Sequence, residues 1–439
     1  MNFNSIALQA PQFLLPNQNI DLCRWTVIAC DQYTSEPEYW ETVNQYVGEH
    51  PSTLHITLPE IYLDKAAEMT PRIQDRMEQY LREEVLQPWG PGWILLQRQL
   101  KCGRKRHGLL VALDLEQYNF SPTSTSLIRP TEGTIAHRLP PRMDIRRQAP
   151  LEVSHIMVLI DDPRNTVIEP LCHNQRTPLY DFDLMLDSGR VSAFGVNDRL
   201  EMQSVADALA RLTHRDSQGS ALLYAVGDGN HSLATAKALW EEVKNSTHDL
   251  ESIQEHPARF AMVELVNLHD TSLVFEAIHR VLFGVDPHHL LKAMETYFGR
   301  KNIDAHFINQ DFPQDISEKS MAMLASSSPQ CHRIPVIWQN SSGIIEITPP
   351  DTKLATASLQ NFLDDYLERE LNIDLDYVHG AEAVATIGSR PGNMGFFLPP
   401  IDKQSFFPSI LQDGPFPRKT FSMGESHEKR FYLECRRIR

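Results

Sequence analysis

The chain has 439 residues, of which 41% are hydrophobic and 22% charged, and its formal net charge at pH 7 is −16. This length exceeds one ordinary hydrophobic core, so we expect two or three domains. The acidic balance argues against a nucleic-acid partner, because such binders neutralise phosphates with Lys and Arg. No apolar run approaches the roughly 20 residues of a membrane helix, and no signal-peptide pattern is visible, so we expect no membrane partner.

The cysteines are scattered along the chain. None of the six belongs to a CxxC pair. This usage is typical of a reducing compartment rather than of a disulfide framework or a zinc site. We therefore expect a cytoplasmic protein.

Hydrophobic periodicity predicts a mixture of strands and helices. In chain order the predicted elements are strand 25–29, helix 36–47, strand 54–58, helix 66–85, strands 93–96, 109–113 and 156–160, helix 205–213, strand 222–226, helices 233–244 and 290–298, and strands 334–338 and 344–347. Several strands are continuously apolar, which is typical of strands buried on both faces. The expected fold class is α/β, or mixed α+β.

Proline-rich joints at 88–91, 140–141 and 349–350 mark the predicted breaks between domains. The predicted organisation is an N-terminal α/β region at 1–145, a core at 146–285, a small helix-and-hairpin subdomain at 286–350, and a C-terminal region at 351–439 that contributes to the site. The hairpin turn of the subdomain is expected around Asn340.

The segment VGDGNHSLATAKALW, residues 226–240, is the most informative stretch, because an apolar run enters Gly-Asp-Gly-Asn-His and a helical pattern follows. Two glycines let the backbone turn sharply, and the helix N-terminus offers N–H groups to an anion. Asp228 is suited to binding a metal or orienting a hydroxyl, and His231 to contacting a phosphate. The alternative is an ordinary connection in which Asp228 or Asn230 caps the helix and Ser232 lies in its first turn.

Two further segments carry acidic groups. In 126–135, Arg129 has the fork geometry that grips a phosphate, and Glu132 is placed to act as a base or metal ligand. The alternative is a surface ion pair in a turn. Asp161 and Asp162 follow a buried strand, where carboxylates suit Mg²⁺ or a substrate amine. An Asp-rich turn before proline explains them as well.

Two more segments lie nearer the C-terminus. If 275–280 is helical, Glu276, His279 and Arg280 share one face, although a capped amphipathic helix explains the pattern equally well. The segment 417–425 is rich in the donors that a phosphate loop uses, without the Walker spacing: Arg418, Lys419, Thr420, Ser422 and the backbone of Gly424. The commonest hydrolase, metalloprotease and dinucleotide motifs are absent from the sequence.

The chain resembles the bacterial family catalogued as domain of unknown function 1015. The resemblance is carried nearly end to end, in the family's order, by the segments ACDQYTSEPEYW, PSTLHITLPEIYL, LIRPTEGT, PLEVSHIMVLIDDP, LLYAVGDGNHSLATAK, HPARFAMVELVNLHD, YVHGAEAV and PFPRKTFSMGE-HEKRFYLECR. The family's Asp-Gly-His-His-Arg turn is in turn similar to that of the ParB and sulfiredoxin superfamily, which includes free-serine kinases.

The resemblance implies a ParB/sulfiredoxin-like nucleotide-phosphate core with additional α+β subdomains. Asp228, Gly229 and His231 match the family's turn, whereas Asn230 replaces its first His and Ser232 replaces its Arg. Losing that guanidinium weakens the case for phosphoryl transfer, because Ser cannot stabilise the developing charge. Lys237, Arg129 and Lys419 are the basic residues that would substitute for it.

The family's Arg-Pro-His-Glu motif is matched at Arg129, Pro130 and Glu132, with Thr131 in place of His, and its Thr-His-Arg motif is matched at His279 and Arg280. The predicted site comprises Glu132, Asp228 and His231 as catalytic residues, Arg129, Thr134, Gly229, Asn230, His231, Ser232 and Lys419 on the nucleotide phosphates, Asp161, Asp162, His279 and Arg280 on the substrate, and Asp228 with Glu132 on a metal.

The expected function is a nucleotide-dependent phosphotransferase acting on a small hydroxyl metabolite, with free L-serine as the first guess. The expected cofactors are ATP or ADP and Mg²⁺, and CTP is a further possible donor. A homodimer is expected from the frequency of dimers among soluble enzymes. The alternatives are a ParB-type nucleotide-binding regulatory protein, a phosphatase or nucleotide hydrolase using the same phosphate site, and a structural accessory subunit.

Overall fold

The computed structural model describes residues 2–134, 139–249, 251–313, 315–339 and 341–439. The chain divides into two compact units. The first contains the residues up to Val274 together with Gly424–Arg439, and the second is Phe275–Met423. The four-domain organisation predicted from the sequence stays a prediction.

Strands form in both units. In chain order they are β1 (Asn2–Phe3), β2 (Leu8–Gln9), β3 (Phe13–Pro16), β4 (Val27–Ile28), β5 (Leu86–Trp89), β6 (Trp93–Gln99), β7 (Lys105–Asp114), β8 (Ile128–Pro130), β9 (Leu151–Val153), β10 (Met157–Ile160), β11 (Pro178–Asp183), β12 (Arg190–Val196), β13 (His214–Arg215), β14 (Ala221–Leu222), β15 (Tyr224–Asp228), β16 (Phe260–Asn267), β17 (Phe275–Ala277), β18 (His279–Phe283), β19 (Asp304–Asn309), β20 (Ser326–Ser327), β21 (His332–Trp338), β22 (Ser341–Thr348), β23 (Asp374–Val378), β24 (Asn393–Phe396), β25 (Phe421–Met423), β26 (Phe431–Tyr432) and β27 (Cys435–Arg437).

The α-helices alternate with these strands, which confirms the mixed α/β class. They are α1 (Leu22–Trp25), α2 (Pro37–Val47), α3 (Ala66–Arg82), α4 (Leu139–Arg147), α5 (Arg199–Arg211), α6 (Asn230–Ser246), α7 (Pro287–Gly299), α8 (Glu318–Leu324), α9 (Ala355–Leu367), α10 (Ala381–Gly388) and α11 (Lys403–Asp413). No helix within the described ranges is both long and apolar enough to cross a membrane.

The main sheet of the first unit has the order β11-β12-β6-β7-β16-β10-β15-β8, with β1 and β2 attached beside β7. It is a mixed sheet, because β10 runs parallel to β16 and β15 parallel to β8, whereas the other neighbours on this path are antiparallel. A smaller sheet of order β5-β3-β27-β9 and the pair β26-β4 join the two ends of the chain.

The main sheet is covered on both faces. Along β7, Leu109 and Val111 pack into one apolar cluster with α5 and α6, and Leu110 packs into another with α2 and α3. Successive strand residues point to opposite faces, so a continuously apolar strand supplies two cores. This burial explains why 93–96, 109–113 and 156–160 were correctly predicted as strands.

The second unit contains a sheet of order β19-β22-β21-β24-β18-β23, with β20 on β21 and a separate β17-β25 pair. The predicted hairpin of runs 334–338 and 344–347 is confirmed as β21 and β22, with Trp338 opposite Ser341. Asn340, around which the turn was predicted, lies outside the described residues.

Two sequence predictions were wrong. The run 54–58 was predicted as a strand, but Thr53–Ile56 forms a 3₁₀ turn. Ser52 accepts from the Leu54 N–H, and the Thr53 hydroxyl donates to the Trp25 carbonyl at 2.8 Å. Such local side-chain bonds compete with strand pairing.

The segment 275–280 was considered as a helix, but it forms β17 and the start of β18. Phe275 and Ala277 are buried while Glu276 between them is exposed, which is the two-residue period of a strand. His279 and Arg280 are therefore neighbours along a strand and not partners on a helix face.

Candidate functional site

The Gly-Asp-Gly-Asn-His turn joins β15 directly to α6. Gly229 adopts φ +76° and is the N-cap of the helix, and no side chain caps the first turn in the described structure. A Cβ added at Gly229 would lie 3.0 Å from Ile156 Cγ1 and 3.1 Å from Ile156 Cα. The position therefore requires glycine for its backbone conformation and for this close approach. The alternative predicted from the sequence, a helix cap by Asp228 or Asn230, is therefore not formed in the described structure.

Asp228 lies at the end of β15 next to a basic residue. Its Oδ1 accepts from the Gly229 N–H at 2.9 Å, and its Oδ2 lies 3.5 Å from Lys429 Nζ. Both side chains are largely buried, so their attraction is screened less than at a surface. A carboxylate and an ammonium group thus flank the start of α6.

The predicted partner of Asp228 comes from the neighbouring strand. Strand β8 runs parallel to β15 with Pro130 opposite Val226, so Glu132 and Asp228 each follow the paired residue by two positions. Parallel strands deliver such residues to the same edge of a sheet. Thr131 adds a link, because its hydroxyl donates to the Val226 carbonyl at 2.6 Å.

Asn230 extends this link, since its Nδ2 lies 3.4 Å from the Thr131 hydroxyl. His231 and Ser232 are half-buried in the first turn of α6, and Thr134 is half-buried beyond β8. The residues predicted around the turn therefore lie beyond the carboxyl ends of the neighbouring strands β8 and β15.

A histidine that sequence reasoning missed lies against this turn. His155 lies between β9 and β10, and its Nε2 is 3.4 Å from Ser232 Oγ and 3.5 Å from Asp31 Oδ2. Its Nδ1 is 2.8 Å from the Tyr432 hydroxyl, which donates to Cys30 Sγ at 2.9 Å. Pairing of β26 with β4 brings Tyr432 to Cys30.

The pKa values of Asp31 and His155 are shifted by their mutual attraction, which outweighs the effect of burial. Burial alone would raise the pKa of Asp31, but His155 and then Lys429 hold that pKa well below its usual range. Burial alone would lower the pKa of His155, but Asp31 and then Asp228 raise it. The two carboxylates therefore favour the imidazolium form of His155.

Cys30 and Tyr432 stay protonated. Burial, followed by the charge of Asp31, raises the pKa of the Cys30 thiol far above its usual value. Burial and the neighbouring Cys30 and Asp31 raise the pKa of Tyr432. A neutral thiol is a poor nucleophile, which argues against covalent catalysis by Cys30.

A cavity of about 140 Å³ opens beside His155 and the first turns of α6. Its apolar lining includes Ile56, Leu58, Leu63, Met77 and Ile145, and its polar lining includes Cys30, Glu60, Arg142, His155, Ser232, Thr235 and Tyr432. Arg142 forms an ion pair with Glu60 in the wall. The cavity thus offers room for a small polar molecule next to His155 and Glu60.

Other predicted residues are engaged elsewhere in the first unit. The Arg129 side chain is 4% exposed and donates to the carbonyls of Ser126 and Ala221 and to the Ser220 hydroxyl. Lys237 donates to the Leu115 carbonyl at 2.9 Å. These bonds connect loops and strands to one another.

Asp161 and Asp162 have different partners. Asp161 lies 2.8 Å from His214 Nε2 and 2.6 Å from His269 Nε2, and Asp162 is fully buried and accepts from the Val167 N–H. The described residues contain no cluster of three or more His, Cys, Asp or Glu side chains able to hold a metal.

Three predicted residues belong to the second unit. His279 is buried, with Nε2 3.1 Å from Glu318 Oε1. Arg280 is fully buried over the Tyr377 ring and donates to the Lys419 carbonyl at 2.8 Å. The side chain of Lys419 itself is exposed. These contacts organise β18 and the segment before β25.

Comparison with known proteins identifies a family and remote structural likenesses. A family model described as "Protein of unknown function (DUF1015)" matches residues 14–364. A free serine kinase in complex with AMP shares 10% identity at a TM-score of 0.38, covering 75% of this chain and 92% of that chain. A conserved hypothetical protein from Pyrococcus furiosus shares 12% at a TM-score of 0.34, covering 74% and 90%.

C-terminally truncated SbnI from Staphylococcus aureus shares 8% identity at a TM-score of 0.34, covering 72% of this chain and 83% of that chain. No curated protein matches this sequence. Because the structural likenesses are so remote, the chemistry of the site has to be derived from this chain's own residues.

Replacing Gly229 by Ala should destabilise the protein more than the same change at Gly103. Both glycines have positive φ, but a Cβ at Gly103 meets nothing within 4 Å, whereas one at Gly229 meets Ile156. We expect Gly103→Ala to cost about 1–2 kcal/mol and Gly229→Ala clearly more. Urea unfolding measures both, and equal losses would show that the close approach at Gly229 is unimportant.

Asp31→Asn should lower the pKa of His155, because it removes the carboxylate that raises that pKa. Proton NMR titration of the imidazole signals measures the shift. His256, whose pKa is lowered by burial and then by Arg439, is the internal control and should not respond. An unchanged pKa of His155 would mean that Asp31 is not its partner.

The same pairing makes stability depend on pH. The folded pKa of His155 is raised, so its contribution is complete below the ordinary value of about 6.5 and is lost as pH rises through the folded pKa. The folded pKa of Asp31 is lowered, so its contribution is present above the ordinary value of about 4 and is lost as pH falls. The stability lost in Asp31→Asn should therefore be larger at pH 6 than at pH 9.

Proposed function

This chain belongs to the DUF1015 family, and we propose that it transfers a phosphoryl group from a nucleotide to the hydroxyl of a small metabolite, free L-serine being the first acceptor to test. One observation carries the proposal: Asp31, Asp228, His155 and Lys429 converge on an uncapped helix start that is followed by a cavity. The resemblance of the Gly-Asp-Gly-Asn-His turn to the ParB and sulfiredoxin superfamily supports the same reading.

The start of α6 would bind the phosphates. Backbone N–H groups of Asn230, His231 and Ser232 and the positive end of the helix dipole attract an anion. Lys429 supplies the positive charge that the family's arginine would have supplied at position 232. Because Lys429 is held near Asp228 and is largely buried, it is placed before the nucleotide arrives.

Asp31 and Asp228 would bind the acceptor hydroxyl and receive its proton. In the reaction the acceptor oxygen attacks the terminal phosphorus, the bond from phosphorus to the bridging nucleotide oxygen breaks, and the hydroxyl proton passes to a carboxylate. The low pKa of Asp31 keeps it ionised to accept a hydrogen bond from that hydroxyl. His155, as an imidazolium, orients Asp31 and stabilises negative charge. Such a site works by positioning and electrostatics.

Asp228 and Glu132 would hold Mg²⁺ together with phosphate oxygens. Carboxylate oxygens are the ligands that Mg²⁺ prefers, and it commonly takes only one or two from the protein. Parallel strands β8 and β15 carry these two residues beyond the same sheet edge, which fits this donor set. When bound, the ion would neutralise charge on the phosphates.

The cavity wall favours an amino acid as the acceptor. Glu60 and Arg142 form an ion pair there, and a zwitterion presents the opposite charges to both, with its carboxylate toward Arg142 and its ammonium toward Glu60. A cavity of about 140 Å³ suits a small metabolite. L-serine meets both conditions and carries a hydroxyl.

Phosphorus NMR of the full chain with Mg²⁺, L-serine and ATP, ADP or CTP in turn tests the proposal. We expect a phosphoserine signal with one nucleotide, and a rate reduced at least about 100-fold in Lys429→Met and in Asp228→Ala. Lys101→Met, which removes an exposed lysine paired with Asp187, is the control and should keep full activity.

Other outcomes would contradict the proposal in distinct ways. Loss of nucleotide phosphate without phosphoserine would indicate a hydrolase or another acceptor. Saturable nucleotide binding without turnover would indicate a regulatory protein of the ParB type. Activity that is unchanged in Lys429→Met would show that the phosphates bind elsewhere.

A further inference from the structure

Two arginines that are not part of the candidate site face each other inside the first unit. Arg98 on β6 pairs in register with Arg106 on β7, and their side chains are 5% and 4% exposed. Cross-strand partners lie about 5 Å apart at Cβ, and like charges in such positions repel. Two buried cations are thus held side by side.

Neither guanidinium is neutralised by a carboxylate in an ion pair among the described residues. Arg98 Nη2 donates to the His427 carbonyl at 3.2 Å, and Arg106 Nη1 donates to the Glu428 carbonyl at 2.8 Å. The buried Nε and Nη1 of Arg98 and the buried Nε of Arg106 find no acceptor in the described part of the chain. Buried cationic donors in native proteins normally have an acceptor.

A cavity of about 30 Å³ lies at these side chains. Its charged lining consists of Arg98, Arg106, Arg430, Glu264 and Glu434, and its other polar lining includes Tyr180 and Thr26. The two carboxylates are already bound, because Arg430 pairs with both and the Tyr180 hydroxyl donates to Glu434. Three guanidiniums against two carboxylates leave one positive charge.

The Thr26 hydroxyl is a fourth buried polar atom that lacks a partner among the described residues. Burial, followed by the charge of Arg106, lowers the pKa of Arg98 to about 9, so the guanidinium remains charged at neutral pH. A buried charge without compensation is strongly unfavourable. The cavity therefore combines donors, one excess positive charge and space.

We propose that this cavity binds one monovalent anion of halide size, chloride being the natural occupant, between Arg98 and Arg106. Its volume exceeds the roughly 10–15 Å³ that a site needs to hold one water, so the cavity has room for an occupant of halide size. This site does not depend on the proposed phosphotransferase activity.

The anion would fasten the C-terminal segment 427–432 to the main sheet. Arg98 and Arg106 hold the carbonyls of His427 and Glu428, and Arg98 also lies over the Phe431 ring at 5.0 Å. An anion between the two arginines strengthens this attachment, because its negative charge offsets their mutual repulsion. Lys429 and Tyr432 belong to the same segment.

Thermal unfolding of the full chain tests the site. Gluconate, a much larger anion than a halide, is replaced stepwise by chloride or bromide at constant ionic strength. We expect the wild-type Tm to rise by about 2 °C or more in halide. Arg98→Met should show no halide response and, in gluconate alone, should be at least as stable as the wild type. Arg190→Met, which removes an exposed arginine, should keep the response.

Crystals of the wild-type protein grown in bromide provide a second measurement that does not depend on any variant. An anomalous peak between Arg98 and Arg106 is expected. The proposal is overturned if the cavity holds water without an anomalous signal, or if the Tm of the wild type responds to halide no more than that of Arg98→Met.

Discussion

The backbone at Gly229 passes so close to Ile156 that a Cβ there would meet it at 3.0 Å, and this contact holds the end of β15 against the segment that carries His155. Because the turn is left-handed and tight, α6 begins immediately, with its first N–H groups beside Asp228. Ser232 then reaches His155 at 3.4 Å. A larger residue at 229 would move the first turn of α6 away from His155 and disrupt the candidate site.

The C-terminal segment completes the arrangement from a distant part of the chain. Lys429 approaches Asp228, Tyr432 contacts His155, and between them Arg430 is buried with Glu264 and Glu434. Neighbouring residues of this short stretch therefore serve the site and the interior of the first unit. Ionic contacts in such surroundings are costly to break singly, because each leaves a buried charge behind. These buried ionic contacts therefore fix the position of residues 429–432.

The sequence could predict features that depend on residues close together in the chain, but not contacts between distant segments. The turn at Gly229 and the long helix after it are local patterns, and both were predictable, as were the doubly buried strands such as β7. Tyr432 reaches the segment of Cys30 and Asp31 through the pairing of β26 with β4, and His155 joins them from between β9 and β10. No local pattern encodes these contacts. They lie in segments that resemble the family, but no spacing among them indicated chemistry. The run 54–58 was wrongly predicted as a strand for a similar reason, because the hydroxyl of the preceding Thr53 bonds to the distant Trp25 carbonyl.

A crystal structure with a non-hydrolysable nucleotide and Mg²⁺ would show whether the start of α6 binds nucleotide phosphates. We expect phosphate oxygens on the N–H groups of Asn230, His231 and Ser232, with Lys429 in contact and the cavity beside His155 open to the acceptor. A nucleotide bound elsewhere on the protein, or none at saturating concentration, would contradict this expectation.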